Sequence, residues 1–152
     1  MSKLPTFAPT VSPESKPFWD GTALGKILLP QCNDCGTVIW YPRTSCPECM
    51  STDVDWFEAS GRGTIYSFAI VRRAGGPWRD ALPYVLAYVE LEEGPRVLTN
   101  IVGSVDAGGT PAPPGDVGDT PAPPGELEVG QAVEAVFDDT GEGNALVRFR
   151  PS

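Results

Sequence analysis

Short runs in which apolar and polar residues alternate dominate the second half of the chain. In residues 61–73, GRGTIYSFAIVRR, this alternation is typical of a β-strand. It predicts one face formed by Ile65, Ser67, Ala69 and Val71 and an opposite face formed by Thr64, Tyr66, Phe68 and Ile70. We interpret four further runs as strands: PYVLAYVELEEG (83–94), RVLTNIVG (96–103), QAVEAVF (131–137) and ALVRFR (145–150). Because glycine-rich turns and no good helix separate the runs, they predict a small closed barrel rather than a parallel sheet.

All four cysteines fall in one stretch of the first half, CNDCGTVIWYPRTSCPEC. They form two C-x-x-C pairs with ten residues between them, a spacing that suits two tight turns around one tetrahedral zinc ion. Gly36 and Pro47 favour such turns, and we expect the link GTVIWYPRTS to form a short hairpin. Four cysteine ligands leave no open coordination position, so the zinc is predicted to be structural. The predicted ligands are Cys32, Cys35, Cys46 and Cys49.

Three other uses of these cysteines are alternatives. Two disulfides would need an oxidising compartment, for which nothing else in the sequence speaks. A thioredoxin-like redox site normally has one C-x-x-C pair at a helix start, not two pairs in a β-rich context. A rubredoxin-type iron site uses nearly the same ligands and is disfavoured by Met50, which stands where a glycine commonly follows the second pair.

A short helix is predicted before the cysteines. Ser12 has the character of an N-cap, with Pro13 at the first helical position and Glu14 in the first turn. Phe18 and Trp19 follow on this helix. One or both rings either pack on the chain's own zinc ribbon or form a docking surface for a partner.

We divide the chain into an N-terminal helical segment (1–28), a zinc ribbon (29–59) and a barrel (60–152). Within the barrel, residues 104–126 are predicted to form a proline-rich surface loop between the third and fourth strands. The sequence TPAPPG occurs there twice, at 110–115 and 120–125. We interpret the repeat as an idle insertion, because surface loops tolerate extra length at low cost.

Composition excludes several classes of function. The chain has no histidine, which removes Ser-His-Asp and Cys-His catalysis. Its net charge of −9 opposes binding to nucleic acid and to anionic membranes. Neither a signal-peptide core nor a run of roughly 18 apolar residues is present, so we expect a cytoplasmic protein that does not associate with membranes. Asp138 and Asp139 look like a carboxylate pair, but DDTGEGN favours a turn.

The order of these motifs resembles the family called domain of unknown function 35. The matching stretches are PFWDG, QCNDCGTVIWYPRTSCPEC, ASGRGTIYSFAIVRR, LPYVLAYVELEEGPRVLTNIVG, VGQAVEAVF and VRFRPS. The resemblance implies a mainly β fold: a short helix, a rubredoxin-like zinc ribbon and a five-stranded OB-fold barrel. It also implies a non-catalytic accessory subunit of a thiolase-like acyl-CoA enzyme, which performs acyl transfer or retro-aldol carbon–carbon cleavage. Some relatives accompany steroid side-chain breakdown, with an enoyl-CoA hydratase domain as a further neighbour, and such a domain would be the missing part if this chain were cut from a longer fusion.

Two sets of residues are candidates for partner and substrate contacts. The interface candidates are Phe18, Trp19, Trp78 and Tyr84, because aromatic residues dominate binding hot spots. The candidates for attracting coenzyme A phosphates are Arg62, Arg72, Arg73 and Arg79. Trp78 alternatively packs over the barrel end.

Two other functions are alternatives. An OB-fold binder of single-stranded nucleic acid would use Tyr66, Phe68 and Tyr84 to stack bases, against the acidic charge of the chain. A rubredoxin-like electron carrier would contain iron and be red.

Overall fold

The computed structural model describes residues 4–102 and 127–152, so the predicted loop at 104–126 lies outside the described residues. In chain order the elements are α1 (Lys16–Ala23), β1 (Leu28–Cys32), β2 (Val54–Glu58), β3 (Arg62–Val71), a 3-10 helix (Gly76–Ala81), β4 (Tyr84–Leu91), β5 (Arg96–Ile101), β6 (Ala132–Asp139) and β7 (Ala145–Pro151). Strands β1 and β2 form a two-stranded sheet, and the other five close into a barrel in the order β3-β4-β5-β7-β6. This architecture confirms the predicted fold class.

The barrel closes through two short contacts. Residues Arg62 to Thr64 of β3 pair antiparallel with β6, and Ile101 of β5 pairs in parallel with Phe149 of β7. Long antiparallel ladders join the remaining neighbours, β3–β4, β4–β5 and β6–β7. Gly63 therefore lies between two partners, Leu91 on one side and Val133 on the other.

The predicted faces of β3 are wrong beyond Ile65. The register of β3 against β4 shifts between Ile65 and Ser67, which leaves Tyr66 as an extra residue in a β-bulge. Because a bulge reverses the alternation, Phe68 and Ile70 join the core side while Ala69 is exposed.

The start of α1 also differs from the prediction. The helix begins at Lys16 after Ser15, and residues 13–15 form a preceding turn in which the Ser15 amide donates to the Ser12 carbonyl at 3.1 Å. Ser12 is thus three residues too early to be the N-cap. Pro17 occupies the first turn of the helix, where a missing N–H costs no hydrogen bond.

The ribbon does not contain the predicted hairpin between the cysteine pairs. Its sheet instead pairs β1, which leads into the first cysteine pair, with β2, which follows the second. The link between the pairs contributes one isolated bridge, Gln31 to Val38. Ile39 and Pro42 of the link are fully buried, so this segment serves as packing rather than as an exposed hairpin.

One hydrophobic cluster joins all three parts of the chain. Phe18 of α1 and Leu29 of β1 belong to the same buried cluster as the barrel residues Ile65, Val89 and Phe149. No helix within residues 4–102 and 127–152 has the length and apolar character needed to cross a bilayer.

Candidate metal centre and interface residues

The two C-x-x-C turns repeat one backbone arrangement. In the first, the Gly36 amide donates to the Cys32 carbonyl at 2.9 Å, and in the second the Met50 amide donates to the Cys46 carbonyl at 2.9 Å. Each first cysteine then donates its own amide to the carbonyl five residues later, at 2.9 Å and 2.8 Å. Gly36 and Met50 both have positive φ, 78° and 65°. The predicted role of Gly36 follows directly from this turn.

The four sulfur atoms converge on one point. They lie within 4.8 Å of one another, and the Cys32–Cys49 and Cys35–Cys46 sulfur pairs are each 3.5 Å apart. Zn–S bonds of about 2.3 Å place the sulfurs of a tetrahedral site about 3.8 Å apart, so the residues fit one zinc ion. All four cysteines are free, whereas a disulfide needs an S–S distance of about 2.05 Å.

The sulfurs also influence one another's ionisation. Hydrogen bonds with the hydroxyl and backbone of Thr37 lower the pKa of Cys35 to about 6. A backbone hydrogen bond at Ser51 lowers the pKa of Cys49, but the sulfurs of Cys32 and Cys35 act in the opposite direction, and the pKa of Cys49 is raised to about 12. Because thiolates at these distances repel one another, a cation between them favours the ionised form of the set. Zinc would supply that charge and would hold the two turns together.

The four aromatic interface candidates occupy different environments. Phe18 is only 4 % exposed and lies in the core. Its ring therefore packs inside this chain and is not available as a surface anchor for a partner. Trp19 is half-buried and donates its indole N–H to the Tyr41 hydroxyl at 3.0 Å. Trp78, in the 3-10 helix, lies with its ring centroid 4.9 Å from that of Tyr84. Both of these rings are half-buried.

The four arginine candidates do not form one cluster. Arg62 is at the start of β3, where its guanidinium contacts Glu92 at 3.1 Å and lowers the pKa of that carboxyl. Arg72 and Arg73 follow the other end of the strand, roughly 30 Å further along at about 3.3 Å per residue. Arg79 lies in the 3-10 helix on the path from Val71 to its strand partner Tyr84. The structure therefore separates Arg62 from the other three.

Sequence reasoning missed a buried polar network around Arg148. This side chain is 3 % exposed, and its Nε lies 2.6 Å from Asp138 Oδ2. Its other two nitrogens donate to Asn100 Oδ1 at 2.9 Å and to the Pro5 carbonyl at 2.6 Å. Burial lowers the pKa of Arg148, and Asp138 opposes that effect. No local signal reveals this network, since its members are 143 residues apart at the extremes.

The predicted turn at DDTGEGN applies to one of its two aspartates. Asp139 Oδ1 accepts the Gly141 amide hydrogen bond at 2.8 Å, which is turn chemistry. Asp138 instead pairs with Arg148 across β6 and β7. The expectation that both carboxylates serve the turn is therefore wrong for Asp138.

The three residues proposed to stack bases do not share one exposed surface. Phe68 packs against the core, and Tyr66 is covered by the Arg96 guanidinium at 3.9 Å from its ring centroid. Tyr84 lies at the far end of β4, against Trp78.

Comparison with known proteins identifies the family. Residues 56–138 match the family described as ChsH2, C-terminal OB-fold domain, and residues 19–55 match the one described as ChsH2, rubredoxin-like zinc ribbon domain. The chain belongs to the DUF35 family. It is 33 % identical over 128 residues to a DUF35 domain-containing scaffold protein of Methanothermobacter thermautotrophicus, covering 80 % of this chain and 83 % of that protein. The match to a zinc ribbon domain and the four converging cysteines together indicate one structural zinc ion.

Other similar proteins carry the names of enzymes or of enzyme subunits. A probable enoyl-CoA hydratase alpha subunit of Thermomonospora curvata is 34 % identical over 95 residues, which cover 62 % of this chain and 30 % of that subunit. The benzoylsuccinyl-CoA thiolase subunit BbsA of Geobacter metallireducens is 34 % identical over 76 residues, which cover half of each. Among solved structures, a chain of the Ltp2-ChsH2(DUF35) aldolase matches with a TM-score of 0.71 at 28 % identity, covering 95 % of this DUF35 chain and 98 % of that chain. The match therefore spans less than a third of the hydratase subunit and half of the thiolase subunit.

Proposed function

We propose that this DUF35 protein is a non-catalytic zinc-binding subunit that binds and supports a thiolase-like acyl-CoA enzyme. The observation that carries the proposal is its similarity, along nearly the whole of both chains, to the chain matched in the Ltp2-ChsH2(DUF35) aldolase. The reaction of the complex would be acyl transfer or retro-aldol carbon–carbon cleavage. Its setting would be the cytoplasm, in a pathway such as steroid side-chain degradation, with an enoyl-CoA hydratase domain as a further partner.

The residues of the chain support a role without catalysis of its own. The sequence contains no histidine, and its four cysteines form one metal cluster with no position left for water or substrate. Zinc in that cluster would fix the ribbon and take no part in the reaction. The partner would supply the reacting groups, and this chain would order its loops or close one wall of its substrate channel.

The surface around Trp78 is our proposed contact with the partner. Trp78 and Tyr84 give it two adjacent half-buried rings, and Arg72, Arg73 and Arg79 lie close to Trp78 in the sequence. Among the described residues, these three arginines form no ion pair with any carboxylate, whereas the five ion pairs involve other basic residues. Asp80 is the only acidic residue between positions 72 and 84. A segment with three arginines and one aspartate, on a chain of net charge −9, favours an anionic partner group such as the phosphates of coenzyme A.

The test is reconstitution of the thiolase-like enzyme of the same organism with and without this chain. We expect the enzyme to lose most of its turnover or its solubility when the chain is omitted. Full turnover by the isolated enzyme would rule out the proposed role.

Matched variants test the proposed surface separately. The triple variant Arg72→Ala, Arg73→Ala, Arg79→Ala is expected to weaken activation of the partner at least tenfold, about 1.4 kcal/mol or more. The control is Arg62→Ala, Arg96→Ala, Arg150→Ala, which removes three exposed arginines that each form an ion pair elsewhere on the barrel. Equal activation by both triple variants would place the contact on another surface while leaving the subunit role intact.

A further inference from the structure

A cavity of about 370 Å³ lies where the chain before α1, α1 itself, the link between the cysteine pairs, the 3-10 helix and the barrel meet. The N-terminal segment contributes Phe7, α1 contributes Phe18, and the link between the cysteine pairs contributes Trp40. Trp78 of the 3-10 helix and residues of the barrel strands β4, β5 and β7 form further parts of the lining. Its volume is within the range of about 300–1,000 Å³ that is usual for small-molecule sites. Neither the zinc cluster nor the proposed subunit role accounts for it.

The aromatic walls of this cavity are held in place before any ligand arrives. The Phe18 ring is edge-on to the rings of Trp19 and Trp40, at centroid distances of 4.9 Å and 5.4 Å. Trp40 is in turn edge-on to Tyr41 at 5.3 Å, and the Trp19 indole is hydrogen-bonded to the Tyr41 hydroxyl. Walls fixed in this way spare a ligand the entropic cost of ordering them. Their ring faces and edges favour a ligand that itself contains rings.

The side chains of Thr99, Asn100 and Arg148 in the lining already contact polar partners within the protein. The Thr99 hydroxyl donates to the Val147 carbonyl at 3.0 Å, and the Asn100 amide donates to the Val85 carbonyl at 2.9 Å. The Arg148 guanidinium forms an ion pair with Asp138, which neutralises its charge, and its two terminal nitrogens donate to Asn100 Oδ1 and the Pro5 carbonyl. A charged ligand would lose its hydration here without gaining a free partner. An uncharged ligand pays no such cost.

The mouth of the cavity is also apolar. Phe7, Tyr41 and Leu98 belong to the lining and are exposed large hydrophobic residues. An apolar molecule can therefore pass along apolar side chains from the mouth to the buried residues Ile27 and Phe149.

We propose that this aromatic cavity binds an uncharged, ring-containing apolar molecule. The proposal does not depend on the partner described above, because the lining is formed by this chain, although Trp78 belongs both to the cavity and to the proposed partner contact.

The test uses two fluorescent probes that share one ring system. N-phenyl-1-naphthylamine is neutral, and 8-anilino-1-naphthalenesulfonate carries an added sulfonate. Titrated into the zinc-loaded full chain, the neutral probe is expected to bind saturably at one per chain and at least tenfold more tightly than the sulfonate. Absence of saturable binding, or equal affinity for the two probes, would overturn the proposal.

Nitrogen-15 NMR of the four tryptophan indoles locates the bound probe. Trp19, Trp40 and Trp78 line the cavity, and Trp56 does not. We expect the neutral probe to shift the first three indole N–H signals and to leave that of Trp56 in place. Shifts centred on Trp56 would contradict the assignment.

A matched pair of variants completes the experiment. Leu98 and Leu86 are exposed leucines on the adjacent strands β5 and β4, at 55 % and 39 %, and only Leu98 lines the cavity. Leu98→Glu places a charge at the mouth and is expected to weaken binding of the neutral probe at least tenfold. Leu86→Glu adds the same charge away from the mouth and is expected to change the affinity less than twofold. The same affinity in both variants would show that the probe binds elsewhere.

Discussion

Met50 shows how strongly single positions in the metal centre are constrained. It occupies the place in the second cysteine turn that Gly36 occupies in the first, and it adopts the same left-handed backbone conformation. That conformation costs a residue with a side chain about 1–2 kcal/mol. The Met50 side chain is largely exposed and offers little packing in return. Hydrogen bonds of the turn and the bound metal must therefore hold this backbone in place.

The clearest prediction at the residue scale is that Cys46→Ser removes the zinc. Cys46 is fully buried against Ile39, so the change breaks both the ligand set and the small ribbon core. Because the energy of metal binding is folding energy in such sites, we expect a loss of stability of about 3–5 kcal/mol, well within the roughly 10–16 kcal/mol attributed to structural zinc. Zinc content per chain and a thermal melt measure the two effects.

The control for this substitution is Glu48→Gln. Glu48 is exposed and lies between the two cysteines of the same turn, so the change leaves all four ligands in place. The control is expected to keep one zinc per chain and the original melting curve. Retained zinc and an unchanged melt in Cys46→Ser would show that the metal centre has been misassigned.

At the scale of elements, Gly63 lies where β3 pairs with both β4 and β6, at one of the two contacts that close the barrel. A Cβ atom built on Gly63 would lie 2.5 Å from the Glu90 carbonyl oxygen and 2.8 Å from a Val89 methyl carbon. Gly63→Ala is therefore expected to push β3 away from β4 and to destabilise the barrel by about 1–3 kcal/mol, the usual cost of overpacking. Urea denaturation measures the change.

The matched control is Gly75→Ala. A Cβ at Gly75 has open space around it, and its φ of −102° suits any residue. We expect stability equal to that of the original protein within about 0.5 kcal/mol. If the two variants unfolded at the same urea concentration, close approach of the strands at Gly63 would be ruled out.

The elements that sequence reasoning predicted are those encoded locally. Alternation and flanking turns found all five barrel strands, and C-x-x-C spacing found the metal ligands. It missed both β1 and β2, because these strands are defined by pairing with each other across the two cysteine pairs. It placed the β3 faces wrongly because a bulge at Tyr66 changes the register without changing the pattern of letters. The start of α1 was placed too early because two prolines lie within five residues and either could open a helix.

The parts of the candidate sites that needed tertiary contacts could not be predicted. A charged residue such as Arg148 in β7 is expected to face solvent. The N-terminal segment covers it instead, and its guanidinium donates to the Pro5 carbonyl. The cavity likewise gathers Phe7, Trp40 and Trp78 from segments far apart in sequence. Side-chain identity gave candidates in these segments, and only the fold decides which of them meet.

At the scale of the whole molecule, the ribbon and the barrel share one core. Leu29 of the ribbon strand β1 and Phe18 of α1 pack in the same cluster as Phe149 at the end of the barrel. Loss of the metal should therefore lower the stability of the barrel as well as that of the ribbon. This continuity suits a rigid subunit that presents a fixed surface to a larger enzyme.

If this chain is the zinc subunit of a thiolase-like enzyme, as we propose, the two proteins should be isolated together. The most direct measurement is native mass spectrometry of the tagged chain, captured gently from a lysate of its own source organism, with peptide sequencing of whatever accompanies it. We expect a complex with one zinc ion per copy of the chain and a second subunit that sequencing identifies as thiolase-like. A zinc-loaded chain that carries no such subunit, or a chain that carries iron instead of zinc, would contradict it.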